Sequence, residues 1–166
     1  MSEEMMPIAY AASLAISVVM ALAAWKRPIL GRVLLVLLFA WAGPTNLHAI
    51  LTQPDLYLGY AQYAYVDLYR HFILGPFSRH IPIIVGAIAI CQLITAFLLL
   101  TSGRALRGGL LGAIVFLLAI APLGTGAGFP ATVLMALAAG LILWHDRHHP
   151  QPFLGTAILQ ALRRGR

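Results

Sequence analysis

Apolar residues in this chain come in long unbroken runs, not in the alternating or one-in-three patterns of half-buried elements. The runs cover about residues 8–25, 29–51, 81–101, 106–123 and 129–144, divided by short polar or proline-bearing breaks. Each approaches the roughly 20 residues that a helix needs to cross the ~30 Å hydrocarbon layer. The pattern predicts an all-α integral membrane protein, a bundle of five transmembrane helices. Four is the alternative count, because the fifth run is short and its ends must lean on interfacial side chains. Residues 1–149 form one bundle in this reading, and 150–166 a basic amphipathic tail on the inner leaflet.

Two interruptions refine the picture. Gly43-Pro44 falls inside the second run and predicts a kink with helix resuming towards Leu51, since a membrane helix tolerates proline where neighbours satisfy the freed carbonyl. The segment 53–79 is too polar to span yet dense in tyrosine, so Tyr57 to Phe72 is expected as an ordered interfacial helix on the outer face. Its tyrosines cannot share one face, which requires a second contact with the mouth of the bundle near His48 or with a neighbouring protein.

Composition agrees. The 166 residues are 61% hydrophobic and 10% charged, against about 25% charged in soluble domains. Mean hydropathy is +0.88. A formal charge of +6 would fit nucleic acid, but the basic residues sit in short clusters between apolar runs, which is topology and no nucleic-acid face. Lys26, Arg27 and Arg32 follow the first run, Arg104 and Arg107 the third, and Arg147, Arg163, Arg164 and Arg166 the fifth. By the positive-inside rule these face the cytoplasm of a cell inner membrane, with the N-terminus outside and the C-terminus inside. Ser2-Glu3-Glu4 is acidic where a signal peptide is basic, so the first run is expected to stay as an anchor. Cys91 is the only cysteine, which excludes an intrachain disulfide or a C-x-x-C redox pair. Gly108 with Gly112, Ala136 with Gly140, and Ser13 with Ser17 make small-xxx-small pairs expected to bring helices close.

The stretch from Gly31-Arg32 through Trp41-Ala42-Gly43-Pro44-Thr45-Asn46-Leu47-His48 resembles the opening span of DoxX-like membrane proteins, in which an arginine leads an apolar helix ending in a glycine-containing, weakly polar motif. The resemblance continues through Pro82 to Leu100, the Arg104-Ala105-Leu106-Arg107 turn and the two closing spans, about residues 31–145. The chain departs from that family in its extra first span, its tyrosine-rich segment, and Pro44-Thr45-Asn46 where a family lysine often stands. The resemblance implies a small helical bundle. Some family members are associated with quinone-linked sulfur oxidation or oxidative-stress complexes, and many have no assigned activity.

Candidate chemistry is sparse. Trp41, Thr45, His48 and Thr52 share a helical face if the second span passes Pro44, with Asn46 beside them, and Gln92 falls in the middle of the third span. Together Trp41, Asn46, His48 and Gln92 are the candidate lining of an outer-half cavity for a quinone or lipid. The bland reading has Thr45 and Asn46 repairing the backbone at Pro44 and Gln92 serving as interhelical glue. Asp67, Arg70 and His71 are spaced to pair on one helix face, so His48, Asp67 and His71 are the candidate proton-handling groups. Surface pairing is the plainer account. His145 and His149 lie one turn apart, but without further ligands they read as the basic end of a helix, and no metal is expected. No haem is expected either, because none of His48, His71 and His80 lies in mid-membrane. Gly124-Thr125-Gly126-Ala127-Gly128 reads as a tight turn.

The sequence thus points to a small inner-membrane bundle acting as a DoxX-like accessory or anchoring subunit of a larger, redox or quinone-linked assembly. The alternative is a membrane enzyme or binding protein for a quinone or other lipophilic molecule. Expected partners are membrane lipids and other membrane-protein subunits or further copies of the chain.

Overall fold

Without water to bind their peptide groups, long apolar runs must satisfy them internally, and helix does this within a single segment. The computed structural model describes residues 5–124 and 128–164. Glu3, Glu4, residues 125–127 of the glycine-rich turn, and Arg166 lie outside them. In chain order the elements are α1 (Met5–Lys26), α2 (Pro28–Thr52), a 3₁₀ segment (Pro54–Gln62), α3 (Asp67–Phe72), a π-helical turn (Ile73–Phe77), α4 (Ile81–Leu100), α5 (Gly103–Ile120), α6 (Ala131–His148) and α7 (Leu154–Arg164).

Among the described residues three helices are long and apolar enough to cross a membrane: α2, α4, and α5 with its 3₁₀ extension to Leu123. The first and fifth expected spans are also helical, as α1 and α6, but are weaker candidates. The apolar part of α1 from Tyr10 to Lys26 is shorter, and α6 ends in the polar run His145-Asp146-Arg147-His148. Its apolar portion covers only about 21 Å at 1.5 Å per residue.

Helix α6 packs against α1, α5 and α2, while α2 packs along α4 and α4 along α5. The alanines Ala136, Ala138 and Ala139 are buried on α6, and such small side chains let helices approach on several sides. The main core joins Met20, Leu35, Phe39, Leu99, Leu106, Leu110 and Ile142 from five helices. Close approach rests on different glycines from those the small-residue spacing suggested. A Cβ on Gly109 would meet Leu98 Cβ at 2.8 Å and one on Gly43 would meet Leu93 at 2.8 Å, whereas Gly108 and Gly140 face open space.

Pro44 stands inside an unbroken α2. Nearby, the Thr45 hydroxyl donates to the Trp41 carbonyl at 2.8 Å, a local bond of the kind that eases a proline in a membrane helix.

The tyrosine-rich segment is ordered, but it is not the single helix expected over Tyr57 to Phe72. Pro54 opens a 3₁₀ segment, the chain turns at residues 63–66 with Val66 extended (φ −119°, ψ 126°), and α3 then lasts only six residues. Further on, Gly75 leaves helical geometry (φ −104°, ψ −105°) just before Pro76. The physical cause is side-chain demand. Tyrosines spread around a straight helix would leave most of their surface without a partner, and the broken path turns several inward. Tyr57 packs edge-on against Phe77 and Tyr60 in a second core with Ile73, Ile81 and Val85. Tyr65 N–H donates to Pro122 O at 3.0 Å, Tyr69 Oη to Ala119 O at 2.7 Å, and the Tyr65 ring meets Phe129. Gly124 (φ 95°) is where this strap touches the α5–α6 connection, and a Cβ there would land on the Tyr63 carbonyl.

The connectivity therefore gives the bundle two unlike ends. The tyrosine end holds the strap and the α5–α6 connection. The basic end gathers the α1–α2 turn, the α4–α5 turn, the end of α6, and α7.

Candidate functional site

At the tyrosine end, Asn46 of α2 lies between two partners. Its Nδ2 donates to Gln92 Oε1 on α4 at 2.8 Å, and its Oδ1 accepts from Tyr57 Oη of the strap at 2.8 Å. Gln92 is 5% exposed and Tyr57 8%. This chain of neutral hydrogen bonds ties three elements one turn beyond Gly43, which packs against Leu93 of α4. Asn46 has one donor and one acceptor function committed, so the clasp works as an interhelical bond without leaving a charge in apolar surroundings. Burial lifts the Tyr57 and Tyr60 phenols above their ordinary range, and Tyr60 adds to the shift at Tyr57. Tyr57 therefore stays a protonated donor throughout the neutral range.

The six sequence candidates do not converge. Asn46 and Gln92 meet, but Trp41 is 68% exposed on the outside of α2. His48, Thr45 and Thr52 are exposed on that outer side as well. Asparagine at 46 is rotated away from the Trp41–Thr45–His48–Thr52 row, which is why one helix presents both faces. Asp67 and His71 are exposed, and the His71 ring nitrogen meets the Asp67 backbone carbonyl at 2.8 Å, not the carboxylate. Arg70 Nε likewise turns to Ala61 O at 3.3 Å. The expected Asp67 pairing with Arg70 or His71 is thus replaced by bonds to backbone carbonyls.

The basic end holds a network that sequence reasoning missed. Arg32, read from sequence as a topology charge, is fully buried. Its Nε donates to Leu99 O at 2.6 Å, one terminal nitrogen to Pro152 O at 2.8 Å, and the other to Thr101 O. Leu99 and Thr101 lie at the C-terminal end of α4, where carbonyls lack helical partners and the dipole is negative. The last turn of α4 has no basic residue of its own, so Arg32 supplies the cation from the neighbouring helix. Asp146 is equally buried. Its Oδ2 accepts from Arg107 Nε at 2.8 Å and its Oδ1 from the Gln151 N–H at 2.8 Å. This is the ion pair present among the described residues. A weak signal existed, since Asp146 is the only acidic residue after Asp67.

Cavities lie elsewhere. An apolar groove of about 460 Å³ runs between α1 and α2, lined by Ile16, Val19, Met20, Leu34, Leu38 and Trp41. A shallower hollow of about 350 Å³ within the strap is lined by Leu58, Gln62, Arg70 and Leu74. Among the described residues no cluster of three or more His, Cys, Asp or Glu could hold a metal.

These features define a helical bundle with three membrane-length apolar helices in which Asn46, Gln92, Arg32 and Asp146 bond between elements. No protein family, curated protein or solved structure matches the chain.

Proposed function

We propose that the protein is a small membrane-embedded bundle of five spans, N-terminus outside and C-terminus inside, serving as an accessory or anchoring subunit of a larger membrane assembly. The observation that carries this reading is the fate of the buried polar groups. Buried Gln92, Tyr57, Arg32 and Asp146 and half-buried Asn46 bond to partners within the chain, the Thr132 hydroxyl is the buried side-chain group without a partner among the described residues, and neither cavity includes any of them. An enzyme of lipophilic substrates would keep such groups facing the substrate. The side faces fit contact with lipid or other subunits: Ile83, Phe97, Val115 and Trp144 are each more than 60% exposed. The DoxX-like resemblance of residues 31–48 supports the same type of protein. Purification in a mild detergent tests it. Stoichiometric co-elution of other membrane proteins is expected, and a monodisperse particle holding this chain alone would reject the subunit role. Topology is tested separately, by cysteine labelling at Gln62 and Gln160 on a Cys91→Ser background. The two sites are expected to react from opposite sides of intact cells, and reaction from one side would reject five spans.

A second reading has one observation in its favour. The α1–α2 groove is wholly apolar and has Trp41 on its wall, so a quinone or similar lipophile could lie there with its ring on the indole. Quenching of tryptophan fluorescence by a short-chain quinone, lost in Trp41→Leu and retained in Trp144→Leu, is the expected sign. Equal quenching in both variants removes this reading.

A further inference from the structure

We propose that the basic end of the bundle is a docking platform for anionic phospholipid headgroups, with α7 laid along the leaflet surface as its rigid edge. The inference rests on the membrane-spanning reading above, which the labelling experiment tests independently.

Charge is the first observation. Lys26, Arg27, Arg104, Arg147 and Arg163 are all exposed and come from four helices and one turn that the fold brings to the same end. The carboxylate there among the described residues, Asp146, is buried and already bonded to Arg107 and to the Gln151 N–H. The exposed surface is therefore cationic with no offsetting acid. The other end is mixed, carrying Asp55 and Asp67 as well as Arg70 and Arg79.

The second observation is the shape of α7. At about 100° per residue, its apolar residues Ala157, Leu154, Ile158 and Leu159 sweep a wide arc, while Arg163, Thr156 and Gln160 fill the rest. The bundle uses only part of that arc. Leu154 and Ala157 are buried at 3% and 1%, whereas Ile158, Leu159 and the preceding Phe153 remain exposed. An uncovered apolar strip beside cations, on a helix with a polar opposite face, matches the headgroup and acyl boundary of an anionic leaflet.

The third observation is that α7 is held in place. Arg32 bonds the Pro152 carbonyl and Asp146 the Gln151 N–H, so two buried charged groups fix the connection immediately before α7. A flexible tether could face any direction. A fixed one presents Leu159 on a set side relative to the bundle axis, and the exposed Trp25 and Trp144 mark the same end with side chains that favour the interface. Soluble nucleic acid fits less well, since it would meet the phosphate-binding cations but leave Phe153, Ile158 and Leu159 in water.

The test uses the full chain in nanodiscs on a Cys91→Ser background, with an environment-sensitive fluorophore at Leu159→Cys and, as the polar-face control, at Gln160→Cys. Discs of phosphatidylcholine alone are compared with discs containing phosphatidylglycerol. In the anionic discs the probe at 159 should shift to the blue and resist an aqueous quencher, while the probe at 160 stays accessible. High salt should reverse the effect, and neutralisation by Arg147→Gln and Arg163→Gln should weaken it about fivefold per cation. Equal quenching at 159 in the two lipids overturns the proposal, and so does shielding that salt leaves unchanged. Tighter binding of the discs to a DNA or RNA oligonucleotide than to anionic lipid vesicles would assign the platform to nucleic acid instead.

Discussion

Replacing Asn46 tests whether the neutral clasp at the tyrosine end holds the bundle together or serves a ligand. Asn46→Ala removes the bond to Gln92 and the bond from Tyr57, both 2.8 Å long. Interhelical polar bonds in membrane proteins average about 0.6 kcal/mol and reach about 1.7. Two such bonds, with both partners left unpaired, give an expected loss of about 1–3 kcal/mol. Gln92→Leu keeps the volume and the Tyr57–Asn46 bond, so it should cost about 0.5–1.5 kcal/mol. The double variant should be less destabilised than the sum of the two, with a coupling near the single-bond value. Tyr57→Phe supplies the third corner, removing one bond while retaining the ring against Phe77. Unfolding in mixed micelles followed by circular dichroism measures all of these. Additivity of Asn46→Ala and Gln92→Leu within about 0.3 kcal/mol would refute the clasp, because residues that do not touch behave that way.

The charged network and the tight glycines carry further expectations. Arg32→Leu strands three carbonyls in a buried site and should cost about 3–5 kcal/mol, with Arg32→Lys restoring only part because an ammonium lacks the planar fork; thermal unfolding checks both. Gly109→Ala should destabilise by about 1–3 kcal/mol through contact with Leu98, while Gly108→Ala, facing open space, should be neutral or stabilising by up to about 1 kcal/mol. A reversed order in the same assay would mean that α5 is rotated. The raised Tyr57 pKa has a defined sign: the protonated form is favoured in the folded state, so its contribution is fully present below pH about 10 and is lost as pH rises through the higher folded value. Alkaline difference absorbance should show Tyr57 and Tyr60 ionising late, and Tyr57→Phe should remove one of the two.

Helix positions were legible because hydrophobic run length alone fixes them: the starts of α2 and α4 at Pro28 and Ile81 fall within a residue or so of the expected boundaries. The inward direction of Gln92 was legible for the same reason, an amide in an apolar run needing a partner. The partner was not, since Asn46 is 46 residues away and its rotation relative to Trp41 and His48 depends on which side of α2 meets α4. Gly43 decides that. Its closeness to Leu93 brings the Gly43–Asn46 side of α2 onto α4 and turns the aromatic and histidine row outward. Gly109 and Gly108 illustrate the same limit, for spacing gives candidate faces and packing selects among them. The course of the strap was not legible, because tyrosines that need several directions at once break regular helix at points that depend on their partners in the bundle.

The two ends of the bundle solve the burial of polar groups by different means, and the difference follows from their surroundings. At the tyrosine end the buried groups are neutral, and each loses little when it exchanges water for a side-chain partner. At the basic end they are charged. A buried guanidinium and carboxylate carry a much larger desolvation cost, which only multiple well-aligned acceptors or donors offset. Arg32 meets this condition at the unsatisfied carbonyls ending α4, and Asp146 with Arg107 and a backbone N–H from the connection to α7. In both cases one bond goes to residue 151 or 152, beyond the last helix of the bundle. The charged solution therefore fixes the position of α7 as well as the ends of α4 and α6, and a substitution at Arg32 or Asp146 should loosen α7 before it loosens the clasp. Faster amide exchange in α7 than in α4 of Asp146→Asn is the expected sign. Equal acceleration in the two helices would mean that the network supports the whole bundle and not its edge.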